Sequence, residues 1–132
     1  MSLVVDTSVW SLALRRGSPS PDPQVVKLAT ALMQRQPIVL LGVILQEVLQ
    51  GIRDESRFDD VRGYLQAFPI WALDRADYVA AARLWNLCRS KGVQPSTADI
   101  QIAAACIQHD CELLTCDQDF QHIAQFCPLR LV

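Results

Sequence analysis

Short apolar runs alternate with helical patterns along this chain, and that alternation restricts its fold more than any other feature. The runs span residues 3–5, 38–41, 69–73 and 112–115, and a fifth candidate spans 129–131. All are short and mainly apolar, which is typical of strands in a parallel sheet that is covered on both faces. The predicted fold class is therefore α/β, a three-layer α/β/α arrangement with helices on both faces of the sheet.

The intervals between these strands carry apolar residues at helical spacing. The predicted helices span residues 7–16, 23–36, 43–53, 56–68, 75–91, 96–110 and 117–125. Pro23 suits the first position of the second helix. Pro69 places the third strand nearer an edge, because proline cannot donate a ladder hydrogen bond. Residues 17–23, which read Gly-Ser-Pro-Ser-Pro-Asp-Pro, predict a turn-rich break between the first two helices.

The size and charge of the chain limit the classes of protein it can represent. Its 132 residues predict one domain, residues 1–132, with one core. A hydrophobic fraction of 51% and a charged fraction of 20% argue against disorder. A formal net charge of −2 argues against a protein that grips nucleic acid through bulk charge, but not against one that brings a metal. No apolar run approaches the ~20 residues of a membrane span, so no membrane partner is expected.

Five cysteines lie in the second half of the chain. They are Cys88, Cys106, Cys111, Cys116 and Cys127. Their odd number, and a first strand that follows the initial methionine without a signal peptide, predict a reduced, cytoplasmic setting. Two histidines lie near three of them, but the ligand pairs of structural zinc sites are usually two to four residues apart. Buried thiols that act as small hydrophobic groups are the favoured interpretation.

Four of the 14 acidic residues lie where predicted strands and helices meet. Asp6 follows the first strand and Asp117 follows the fourth. Asp99 lies in the first turn of the helix that leads to the fourth strand, and Glu47 lies in the helix after the second strand. Each has a structural alternative: Asp6 and Asp117 as helix caps, Asp99 within a capping box over residues 96–99, and Glu47 as a surface acid.

Taken together, these four acids favour a metal site. If strands one and four are neighbours, their carboxyl ends form the crevice in which α/β sheets bind ligands. Carboxylates in one crevice repel one another unless a cation is present. An all-oxygen site suits Mg²⁺ or Mn²⁺, and such a metal hydrolyses phosphodiesters by activating water. Ser8 would orient a water or a ligand carboxylate there, and its alternative role is first-turn hydrogen bonding.

Four ordered segments resemble the PIN domain family, and within it the VapC-type toxins of bacterial type II toxin–antitoxin systems. They are Val-Asp-Thr-Ser at 5–8, Glu-Val-Leu-Gln-Gly-Ile-Arg at 47–53, Thr-Ala-Asp-Ile-Gln-Ile-Ala at 97–103 and Leu-Leu-Thr-Cys-Asp-Gln-Asp-Phe at 113–120. The resemblance implies a PIN-like domain with a five-stranded parallel sheet of order 3-2-1-4-5. It also implies a Mg²⁺- or Mn²⁺-dependent endoribonuclease that acts on RNA, often forms a homodimer and is inhibited by a cognate antitoxin protein.

The resemblance also assigns roles to individual residues. The catalytic acidic quartet corresponds to Asp6, Glu47, Asp99 and Asp117. We expect Asp6, Asp99 and Asp117 to hold the metal, with Glu47 acting through a water. Asp119 corresponds to the variable fifth acid, which holds a second metal or none, and its alternative is an acid favoured by the helix dipole.

Three arginines lie on predicted elements beside these acids. Lys27 and Lys91 are the only lysines among the 12 basic residues, and guanidinium groups suit phosphate recognition. Arg15, Arg16 and Arg53 are therefore predicted to hold flanking RNA phosphates. The alternative is that they stabilise helix ends through the helix dipole.

Two other functional classes were weighed against the nuclease. A receiver-like signalling domain would need an acceptor Asp after a central third strand and a Lys after the last strand. Here the third strand leads to Asp74 at a helix start, and no lysine follows residue 91. A catalytically silent PIN-fold module that binds a partner is the other alternative, and acids at all four positions argue against it.

Overall fold

A five-stranded parallel sheet forms the centre of the computed structural model, which describes residues 1–17 and 19–132. Its strands are β1 (Leu3–Val5), β2 (Ile38–Leu41), β3 (Ile70–Trp71), β4 (Glu112–Leu114) and β5 (Arg130–Leu131). Their order is β3-β2-β1-β4-β5, which confirms the predicted order. Receiver domains have the order 2-1-3-4-5, so this topology argues against the receiver-like alternative.

The central strand β1 pairs with β2 on one side and with β4 on the other. Leu3 lies opposite Ile38, and Val5 lies opposite Leu114. All residues of β1 and β2 are buried, whereas the edge strands β3 and β5 are only partly covered. The chain therefore leaves β1 and β4 side by side at the same edge of the sheet, at the point where the strand order reverses.

Seven helices connect the strands in the described residues, 1–17 and 19–132. They are α1 (Thr7–Ala13), α2 (Pro23–Met33), α3 (Gly42–Gln50), α4 (Glu55–Leu65), α5 (Arg75–Ser90), α6 (Thr97–Gln108) and α7 (Asp119–Ala124). Helices α1 to α4 pack on one another, and α5 to α7 form a second group. Because parallel crossovers are right-handed, connections that run in opposite directions along the sheet place these groups on opposite faces.

The helix boundaries differ from the sequence-based prediction at several ends. Helices α1, α2 and α3 each end three residues before the predicted point. Arg35 adopts a left-handed backbone (φ 56°), which stops α2 before residue 36. Helix α7 begins at Asp119 and not at Asp117, because the Asp117 carboxylate instead accepts the Asp119 N–H at 2.9 Å. The predicted turn over residues 17–23 includes Ser18, which lies outside the described residues.

The cysteines are free thiols, as the sequence predicts. Cys88, Cys106 and Cys111 are buried, and Cys116 and Cys127 are half-buried. Burial raises the pKa of the Cys106 thiol, which keeps it protonated and inert. Among residues 1–17 and 19–132, no helix is both long enough and apolar enough to cross a membrane.

Candidate metal centre

Asp6 is one of only two buried acids among the described residues, with an exposed fraction of 5%. Its N–H donates to the Leu114 carbonyl at 2.9 Å, so the ladder between β1 and β4 extends to Asp6 itself. The residue then caps α1, and its backbone is still extended. The capping role and the position at the carboxyl end of the central strand are therefore compatible.

Two hydroxyl groups hold the Asp6 carboxylate in place. Asp6 Oδ2 accepts from Ser8 Oγ at 2.7 Å and from Thr115 Oγ1 at 2.9 Å, with a longer contact of 3.4 Å to the Ser8 N–H. None of the described residues donates to Oδ1. Asp6 thus keeps one oxygen free of protein hydrogen bonds while the other fixes its orientation.

The same hydroxyls also position the loop between β4 and α7. Thr115 Oγ1 accepts the Asp117 N–H at 2.9 Å, and Ser8 Oγ accepts the Cys116 N–H at 3.0 Å. Each hydroxyl therefore donates to Asp6 and accepts from the loop backbone. Sequence analysis missed Thr115, although its place at the carboxyl end of β4, beside the Asp6 strand, was a usable signal.

Asp99, Asp117 and Asp119 form the tightest acidic group. One carboxylate oxygen of each lies within 4.8 Å of the others, and no other such group of potential metal ligands occurs in residues 1–17 and 19–132. Asp99 and Asp117 are half-buried, and Asp119 is exposed. The variable fifth acid of the sequence prediction thus lies inside the cluster. Asp6 lies outside this tightest group.

The pKa of Asp99 responds both to its burial and to the acids around it. Burial, followed by the charge of Asp117, raises the pKa of Asp99 from 3.8 to about 6. A side-chain hydrogen bond with Ser96 lowers the pKa of Asp99 by a smaller amount, and the charges of Asp6 and Asp119 raise it further. Asp6 is therefore electrostatically coupled to the cluster.

A hydrogen bond from Thr7 connects Glu47 to the residues next to Asp6. Glu47 Oε1 accepts from Thr7 Oγ1 at 2.9 Å, and Thr7 directly follows Asp6. This contact joins α3 to the start of α1. Thr7 is a second residue that the sequence analysis did not single out as functional.

The three predicted arginines differ in their surroundings. Arg16 pairs with Asp54 at 3.3 Å on the surface. Arg15 and Arg16 line a cavity of about 330 Å³ that Glu47 and Arg57 also line. Arg53 is exposed and lies outside that lining. Arg57 was not predicted from the sequence.

The donor set fits a hard divalent cation. The acids offer only oxygen, and none of the four ion pairs among the described residues neutralises any of them. Clustered carboxylates without a counter-charge are stabilised by a bound cation, and oxygen ligands suit Mg²⁺ or Mn²⁺. Burial, and after it the charges of the neighbouring acids, raise the pKa of Asp99.

Solved structures of the same fold were compared with the chain. VapBC2 from Rickettsia felis, bound to a DNA fragment from its promoter, is 15% identical with a TM-score of 0.79, covering 100% of this chain and 98% of that chain. FitAcB from Neisseria gonorrhoeae is 20% identical with a TM-score of 0.73, covering 98% and 95%. The Sarcin-Ricin loop cleaving toxin VapC20 from Mycobacterium tuberculosis is 15% identical with a TM-score of 0.67, covering 97% and 98%.

At these identities the structural likeness concerns the fold. No curated protein sequence matches the chain significantly. The family model described as the PIN domain matches residues 3–125. This range contains the five acids of the candidate site, which are Asp6, Glu47, Asp99, Asp117 and Asp119. The resemblance drawn from the four sequence segments is thereby confirmed, and the chain belongs to the PIN domain family.

Proposed function

We propose that this protein is a Mg²⁺- or Mn²⁺-dependent endoribonuclease that acts as the toxin of a toxin–antitoxin pair. The observation that carries the proposal is the uncompensated acidic cluster at the carboxyl edge of the sheet. Asp99, Asp117 and Asp119 offer oxygens within 4.8 Å of one another, and Asp6 raises the pKa of Asp99 from nearby. Such clusters suit the metal ions that phosphodiester hydrolysis uses.

Each acid has a proposed role in binding the metal. Asp6, Asp99 and Asp117 are the proposed ligands, Glu47 acts through a water, and Asp119 completes this site or serves a second one. When bound, the cation lowers the pKa of a water and stabilises negative charge on the phosphoryl oxygens. Asp99 must be ionised to bind it, so protons compete with the metal as the pH falls below about 6.

The chain's hydroxyl groups supply the orientation that the acids need. Ser8 and Thr115 fix one oxygen of Asp6 and leave the other available. Because the same hydroxyls accept N–H groups from residues 116 and 117, they hold Asp117 in register with Asp6. Thr7 holds Glu47 in the same way. Partners of metal ligands typically change metal affinity or activity by ~10–100-fold when they are removed.

The proposed partners follow from the solved structures with this fold. The neighbours include VapBC and FitAcB structures and a toxin that cleaves the Sarcin-Ricin loop. These neighbours support the proposal of an RNA substrate and a cognate antitoxin protein. The proposed homodimer comes from the resemblance to VapC-type toxins, and the proposed cytoplasmic setting comes from the free cysteines. Arg15, Arg16 and Arg53 are proposed to hold phosphates that flank the cleaved bond.

The test replaces carboxylates by amides of the same shape. Asp6→Asn and Asp99→Asn should each reduce cleavage of total cellular RNA by more than about 100-fold in the presence of Mg²⁺ or Mn²⁺, because each removes a ligand charge. Asp60→Asn, at an exposed position of α4, is the matched control and should leave the rate unchanged. RNA cleavage that survives both site substitutions, or that persists after chelation, would reject the proposed site.

A further inference from the structure

A cleft between α1, α3 and α4 opens beside the acidic site. Its volume is about 330 Å³, and Glu47 is part of its wall. Glu47 accepts a hydrogen bond from Thr7, which directly follows Asp6, so Glu47 belongs both to the wall of the cleft and to the proposed centre. Buried Val48 and Val61 contribute to its floor.

Three arginines line this cleft, and they are not equivalent. Arg16 is engaged by Asp54 at 3.3 Å, and both side chains are largely exposed. Arg15 and Arg57 form no ion pair with any described residue. Arg57 is half-buried, whereas Arg15 is exposed. Arg57 thus lines the cleft with no carboxylate partner among the described residues, and this position favours an anion supplied from outside the protein.

The chemistry of the neighbouring site identifies that anion. A strand of RNA whose phosphate lies at the acidic cluster continues past it, and its next phosphates need positive charge because the cluster itself repels them. The chain carries a net charge of −2, so only local arginines can supply that charge. Guanidinium groups bind phosphate oxygens in a bidentate manner.

We propose that Arg57, together with Arg15, holds a backbone phosphate of the RNA next to the cleaved bond. The inference rests on the proposed nuclease function and adds a substrate-binding residue to it. It also extends the sequence-based set, of which Arg15 and Arg16 line the cleft and Arg53 does not. The alternative ligand of this cleft is an acidic peptide of a protein partner.

Binding of RNA, measured apart from cleavage, tests the proposal. All variants carry Asp99→Asn so that the probe, a short fluorescein-labelled single-stranded RNA of mixed sequence, stays intact during anisotropy titrations. Arg57→Gln should weaken binding roughly tenfold, because a charge-assisted contact is lost. It should also reduce the slope of log K against log salt by about 0.7, the value for one phosphate contact on a single strand.

Matched variants separate the charge of Arg57 from its packing. Arg83→Gln removes an equally positive, exposed side chain on α5, outside the cleft, and should leave affinity and salt slope unchanged. Arg57→Lys keeps the charge and should retain the slope, whereas a merely structural role would make it resemble Arg57→Gln. Arg15→Gln should reproduce part of the Arg57→Gln effect.

Failure of this inference differs from failure of the nuclease proposal. If Arg57→Gln binds RNA as Arg83→Gln does, the phosphate site is rejected even when cleavage depends on Asp6 and Asp99. Unchanged RNA binding with loss of binding to a glutamate-rich peptide would assign the cleft to a protein partner and also reject it. RNA binding that depends on Arg57 in a protein without metal-dependent cleavage would keep the phosphate site and reject the nuclease.

Discussion

Asp6 and Asp77 are the two buried acids among the described residues, with exposed fractions of 5% and 3%, yet their surroundings are opposite. Asp77 lies in the first turn of α5, where Oδ2 accepts the Asp74 N–H at 3.0 Å and Oδ1 lies 2.9 Å from His109 Nε2. Asp6 receives only hydroxyl and backbone donors and is coupled to the acids around Asp99.

The difference separates an acid with structural partners from the acids proposed to hold a metal. Asp77 has a partner for each oxygen and forms a capping box with Asp74, so its burial ties the start of α5 to the end of α6. The acids around Asp99 oppose one another and lack a counter-charge among the described residues. Burial alone therefore does not identify a site, whereas a shortage of compensating charge does.

Removal of the structural acid should produce the largest change in stability. Asp77→Ala leaves the Asp74 N–H and the His109 ring without their acceptor, and loss of a buried charged partner should lower the free energy of unfolding by about 3 kcal/mol. Asp99→Ala should cost far less, because it relieves repulsion. Urea denaturation of both variants measures the difference. Equal losses would remove the distinction between the two regions.

Metal binding should raise the free energy of unfolding by somewhat less than the Asp77→Ala substitution lowers it. A cation that binds only the folded protein adds about 2.7 kcal/mol at a concentration of 100 times its dissociation constant. Mn²⁺ or Mg²⁺ should therefore raise the midpoint of thermal unfolding in the wild type, and Asp99→Asn should abolish the rise. The control variant Asp77→Asn changes the other buried acid. Its unfolding midpoint without metal should be lower than that of the wild type, but metal should raise that midpoint by the same amount. A wild type whose unfolding does not respond to either metal would contradict the proposed centre.

The fold was predictable because strand and helix signals are local. Apolar runs at 3–5 and 38–41 and helical spacing between them require no knowledge of distant contacts, and the structure contains every predicted element. The strand order is a tertiary property, and its prediction depended on family resemblance. Helix ends were less predictable, because tertiary and side-chain features set them. The backbone of Arg35 is left-handed just after α2, and the Asp117 side chain accepts the N–H of Asp119, where α7 begins.

The sequence predicted which acids form the site, but not the distances between their carboxylates. Asp6, Asp99 and Asp117 could be selected because each lies at the end of a strand or the start of a helix. The inclusion of Asp119 in the tightest group depends on the loop after β4, whose path is set by hydroxyl contacts across the sheet. Arg57 was not predictable, because nothing local shows that α4 faces the same cleft as α1.

The pH dependence of stability should show the smallest effect, and it tests the acids around Asp99. In metal-free protein the pKa of Asp99 is about 6 in the folded state, above its ordinary value of 3.8. Between these pH values the folded state binds more protons than the unfolded state, so this acid makes stability fall as the pH rises through that window. Solvent screening of the half-buried group keeps the effect small.

Asp99→Asn should remove this contribution, so its stability should fall less between pH 4 and 6 than that of the wild type. Saturating Mn²⁺ should reverse the trend in the wild type, since the metal competes with protons for the same carboxylates and binds more tightly as the pH rises. Chemical denaturation at several pH values, with chelator or with Mn²⁺, measures both effects. A wild type and an Asp99→Asn variant with parallel profiles in chelator would show that the acids at this edge do not repel one another, and would remove the electrostatic argument for a cation there.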